Sequence, residues 1–149
     1  MSWRQLVANN RVRRHSTSRQ ELDDLRAVVA RDLQDASLAG LSSDRTFATA
    51  YNAALQLAKM AIACAGYRVA FGAGHHQATF EAVKLVALGP TSSNLADYFD
   101  TCRRKRNLVD YDCAHAATET EAEELIRKAE EFRGLVETWI RKHHPRYSA

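Results

Sequence analysis

The chain has 149 residues, of which 46% are hydrophobic and 26% charged, with 6 Gly and 2 Pro. These proportions exclude a disordered, collagen-like or low-complexity chain and suit one globular domain. A net charge of +3 is too small for an obligate nucleic-acid coat, and no apolar run nears the ~20 residues needed to span a bilayer.

Residues 1–17 read as an N-terminal extension, with a short helix between Trp3 and Val12. This stretch lacks a continuous apolar segment and a small-residue cleavage site, so it is not a secretory signal and a cytoplasmic protein is expected. The main body is expected over 18–144 and a tail over 145–149. Ser18 with Glu21 has the spacing of a capping box, in which hydroxyl and carboxylate each take an orphan amide. Leu22, Leu25, Val29, Leu33 and Ala36 then recur at helical spacing, and Gly40 stops the helix.

Ser43 opens the next helix, with Asp44 near the positive end of its dipole. Phe47, Tyr51, Leu55, Ala58, Ile62 and Ala65 form its stripe, and its many alanines admit close neighbours. Tyr67 to Gly74 reads as a connector. A shorter helix is predicted from about Gln77 to Leu88, ended by Gly89-Pro90. Ser92 or Ser93 is the expected cap of a long helix from Asn94 to about Asp112. Thr118 and Glu121 form a second capping box, before a final helix bearing Ala122, Leu125, Ala129, Phe132, Val136 and Trp139. No stretch alternates like a strand. Short connections between successive helices predict an all-α, up-and-down bundle of about five helices.

Cys64, Cys102 and Cys113 are odd in number and lack CxxC spacing, which argues against a disulfide framework or zinc knuckle and predicts buried thiols. Gly72-Ala73-Gly74-His75-His76 is neither a P-loop nor a dinucleotide turn. It reads as a surface connector, and two adjacent histidines without a third ligand do not predict a metal site. Its helix-start amides could hold an anion. Trp139 suits either the core or a dimer interface. No metal or cofactor is expected.

The penultimate helix carries the chemistry. Its apolar stripe runs Leu95, Phe99, Cys102, position 106, Val109 and Cys113, and position 106 is arginine. A charge on such a stripe needs a partner or a groove. Asp110, four residues on, can pair with Arg106. Asn107 and Tyr111 form the adjacent i, i+4 pair, with Arg103 one turn earlier. The basic run Arg103-Arg104-Lys105-Arg106 suits phosphate. Spacing alone also allows an Arg106–Asp110 pair that only fixes helix register.

The stretch RRKRNLVDYD, set late in a helical chain of this size, resembles the signature helix of the HEPN superfamily. The alanine-rich AYNAALQLAKMAIACAGYR and the acidic closing helix resemble that fold over residues 16–142. The resemblance implies a dimer whose motifs meet at a cleft. In family members that resemble metal-independent ribonucleases, an arginine neutralises the scissile phosphate and a histidine four to six residues later moves the proton. Arg106 matches the arginine and Asn107 the polar residue, but Tyr111 stands where the histidine would be. His115 is nine residues on.

Members without the histidine resemble binding or assembly domains. The resemblance therefore implies a non-catalytic RNA- or nucleotide-binding module, of toxin–antitoxin or defence type, with a small nucleotidyltransferase as partner. The phosphate contacts would come from Arg103, Arg104, Lys105 and Arg106, with Asn107, Asp110 and Tyr111 lining the groove. A ribonuclease using Arg106 and Tyr111 is the alternative. A structural oligomerisation scaffold is another.

Overall fold

The computed structural model describes residues 1–149, except for the side chains at positions 111 and 112. Six α-helices follow one another: α1 (Trp3–Ala8), α2 (Arg19–Ala36), α3 (Ser43–Cys64), α4 (His75–Val83), α5 (Ser92–Asn107) and α6 (Glu119–His143). Two three-residue strands, β1 (Val12–Arg14) and β2 (Tyr67–Val69), pair antiparallel with Val12 opposite Val69. This ribbon occupies the ends of the expected N-terminal helix and connector. A three-residue strand is too short to show alternation, which is why the sequence pattern missed it.

Helix α3 is the axis of the bundle and packs against α2 and α6 on two sides. Ala50, Ala53, Ala54, Ala58 and Ala61 are all fully buried. A helix apolar on nearly every face belongs in the interior, and alanine lets the flanking backbones approach. The remaining space is filled by aromatic rings. Tyr51, Phe80, Phe99 and Phe132, from α3, α4, α5 and α6, touch in series at centroid separations of 5.9, 5.9 and 5.2 Å.

Three helices differ from expectation at their ends. The Ser18 hydroxyl accepts from the Glu21 amide at 3.1 Å, but the Glu21 carboxylate turns to His15 and Thr17. The box is therefore half formed, whereas the one at Thr118 and Glu121 is complete. Helix α4 begins two residues before Gln77 and ends at Val83, well short of Gly89-Pro90. Helix α5 starts at Ser92 behind Thr91, and neither predicted serine caps it.

The helix predicted to run to about Asp112 is α-helical only to Asn107. A π turn, Leu108–Asp112, completes it, closed by the Cys113 amide donating to the Leu108 carbonyl at 2.8 Å. The wider turn moves later residues off the apolar stripe, so Val109 is half-buried and Cys113 is exposed. Cys64 and Cys102 are buried, and burial raises both thiols to a pKa of about 11.

The loop after the π turn is tied to α3. Asp44 accepts from the backbone amides of His115 at 2.6 Å and Ala117 at 2.9 Å. The Ala117 bond first, with that of His115, holds its carboxyl below the usual aspartate value. At the opposite end, Arg26 on α2 forms a forked pair with Glu137 on α6 and donates to the Tyr147 carbonyl. Trp139 packs partly against the core and partly against His144, at 4.8 Å. No helix among the described residues is long and apolar enough to cross a membrane.

Candidate functional site

Arg106 faces a cleft rather than the core. It lines a polar opening of about 460 Å³ together with Arg103, Asn107 and the segment Gly72 to Gln77. Its Nε donates to Asp110 Oδ2 at 3.0 Å, and these side chains are 25% and 19% exposed. The pair is therefore half solvated, and the predicted i, i+4 geometry is present. Arg106 Nη1 also reaches Asn107 Oδ1 at 3.4 Å, and its guanidinium lies 5.9 Å from the Tyr51 ring centroid.

The basic run is divided by helical geometry. Arg103 and Arg106, three apart, share the cleft. Arg103 is oriented by Asp100 at 2.9 Å. Lys105 turns to Glu121 at the start of α6, and Arg104 is exposed outside the cleft lining. The side chain of Tyr111 lies outside the described residues.

The opposite wall is the glycine-rich segment. Gly74, at φ +79°, takes a left-handed conformation that glycine adopts without cost and begins α4 with no side-chain cap. First-turn amides of a helix have no partner within the helix, and the dipole favours an anion there. The His75 amide is taken by the Gly72 carbonyl at 3.2 Å, and His76 and Gln77 of this first turn line the opening together with the two guanidinium-bearing residues.

His76 is the residue that sequence reasoning missed. It lies thirty positions before Arg106, on another helix, yet lines the same cleft. The signal available was a Gly-Ala-Gly run directly before a histidine pair. Its Nδ1 is 3.0 Å from the buried Tyr51 hydroxyl. Burial raises the Tyr51 pKa, so that hydroxyl keeps its proton. His76 is its hydrogen-bond partner among the described residues. Donation from Tyr51 to Nδ1 satisfies both groups and puts the imidazole proton on Nε2. Burial first, and the neighbouring charge of Arg106 second, lower the His76 pKa to about 4.

His76 is therefore neutral at physiological pH. We expect a histidine NMR titration to give a midpoint near 4 and an Nε2–H tautomer. The unfolded chain takes up this proton near pH 6.5 and the folded chain only near 4. His76 thus lowers stability as the pH falls through that window. Replacing Arg106 by alanine removes a neighbouring positive charge and will raise the midpoint.

His75 and His76 have ring centroids 5.5 Å apart and planes 61° apart. Among the described residues no group of three or more His, Cys, Asp or Glu is placed to hold a metal ion. The cleft instead offers guanidinium groups, an amide, a neutral imidazole N–H and backbone amides. All are donors suited to a phosphodiester or phosphomonoester.

A family model described as SAV_6107-like HEPN matches residues 38–137, two thirds of the chain. That span runs from the turn before α3 into α6 and contains every residue of the cleft. No curated protein and no solved structure matches the chain.

Proposed function

The chain belongs to the SAV_6107-like HEPN family, and we propose that its cleft holds the phosphates of RNA or of a nucleotide without a metal ion. One observation carries this reading. Arg103, Arg106 and Asn107 of α5 converge with the uncapped start of α4 on a single opening. Two cations, helix-start amides and an imidazole N–H supply fixed donors around one anion.

The tautomer of His76 favours binding over cleavage. General-base catalysis by imidazole needs a bare nitrogen facing the ribose hydroxyl, whereas the tautomer assigned from donation by Tyr51 puts the proton on Nε2. A ribonuclease reading remains the second one, because His76 supplies the imidazole that position 111 lacks. It requires Tyr51 to accept from Nδ1 instead. The exposed Leu108 beside Asn107 supports burial of this helix end against a second copy. A homodimer, a small nucleotidyltransferase partner and a toxin–antitoxin or defence setting belong to the same proposal.

The test uses the purified protein, a labelled single-stranded RNA and EDTA, with anisotropy and a denaturing gel read from the same samples. We expect RNA to be bound and recovered intact. Cleavage that is lost in both Arg106→Ala and His76→Gln, with folding retained, would establish the ribonuclease reading. Failure to bind RNA or mononucleotides at physiological salt would overturn both.

A further inference from the structure

A second cavity shares His75 with the cleft. It has a volume of about 180 Å³. Leu25, Ile62, Ala63, Tyr67, Val69 and Phe71 make its apolar wall, and Lys59, Gln56 and Arg68 are among its polar members. The far face of Tyr67 is fixed by a parallel stack on Trp3 at 4.2 Å. Phe71 is 77% exposed at the mouth, with the Arg68 guanidinium 5.6 Å from its ring.

The charges in this cavity are unevenly matched. Glu21, at one side, is engaged by His15 and Thr17, each at 2.8 Å. Lys59 is half-buried in α3 and makes no hydrogen bond or ion pair among the described residues. Burial first, and the charge of Arg68 second, lower its pKa, and no carboxylate among the described residues pairs with it. A desolvated ammonium next to a second cation calls for an anion. Other titratable groups at the lining are His15 and His75.

Size and shape narrow the ligand. A dry apolar cavity of roughly 150 Å³ accepts benzene. This cavity is slightly larger and has a cationic end, so it has room for one aromatic ring and a small anionic group. We propose that it is a binding site for a small aromatic monocarboxylate, with the ring between Tyr67 and the aliphatic wall and the carboxylate on Lys59. Arg68 supplies further positive charge, and Phe71 covers the mouth.

The probe is 4-fluorobenzoate, followed by fluorine NMR on the full chain. Saturable binding with a Kd of about 1 mM or tighter is expected for a ligand of this size. Lys59→Met, checked by circular dichroism, should weaken it at least tenfold. The same substitution should not weaken the uncharged 4-fluorobenzamide. Arg103→Ala, in the other cleft, should bind 4-fluorobenzoate as the parent chain does. In the unmodified protein, the ligand should shift the ring resonances of Tyr67 and Phe71. Absence of saturation up to about 10 mM, equal affinity in Lys59→Met, or ligand-induced shifts confined to His76 would each overturn the proposal.

Discussion

Replacing Arg103 and Arg106 together by alanine will weaken binding of single-stranded RNA by about ten- to a hundredfold at physiological salt. Each guanidinium lines the cleft, and each charged hydrogen bond to phosphate contributes more than a neutral one. Two lost phosphate contacts also flatten the salt dependence. The slope of log K against log salt should fall in magnitude by about 1.4 for a single strand. Arg104→Ala is the internal comparison, because Arg104 is exposed outside the cleft. It makes the same formal charge change as either single substitution, with a smaller loss of affinity. Anisotropy titrations at several salt concentrations separate the two. Equal losses for Arg104→Ala and Arg106→Ala would show that RNA senses only the overall charge. Unchanged RNA affinity with lowered stability in Arg106→Ala would leave the Arg106–Asp110 pair a structural latch.

The largest stability effect is expected at Phe99. Phe99→Ala should lower the unfolding free energy by about 3–5 kcal/mol. The ring is fully buried and meets both Phe80 and Phe132. Its removal leaves a cavity between the rings of α4 and α6 that the close-packed interior fills only in part. For a domain of this length the melting temperature should drop by roughly 6–20 °C. Leu38→Ala, at an exposed position, should change stability by no more than about 0.5 kcal/mol. Urea unfolding followed by circular dichroism measures both. A loss below about 1 kcal/mol for Phe99→Ala would contradict the packing described.

The parts of the fold written in long periodic segments were readable from the residues. Leu22, Val29 and Leu33 mark the buried face of α2, and Leu125, Phe132 and Val136 that of α6, because both helices hold one stripe over many turns. Helix α3 was readable from its alanines. The ribbon was not, because Val12 and Val69 meet only after the chain has passed through α2 and α3. The buried place expected for Cys113 failed because periodicity assumes one residue spacing throughout, and the π turn changes it. At the site, the Arg106–Asp110 pairing is local and its geometry followed from spacing. His76 was hidden because the family pattern places the imidazole downstream of the arginine on the same helix. Nothing local to position 76 reveals that Tyr51 and Arg106 are its neighbours.

The π turn at Leu108–Asp112 also bears on how this region can change over generations. A π turn holds about one residue more than the α turn it replaces. The chain therefore carries slack just after Asn107, between two anchored points: Arg103 and Arg106 in a regular helix, and the loop pinned by Asp44. Loss or gain of a residue within that slack leaves the arginines in place and shifts only the residues downstream of them. The distance along the chain from the arginine to its downstream polar partner is thus the elastic part of the motif. The arginine's own position is the rigid part.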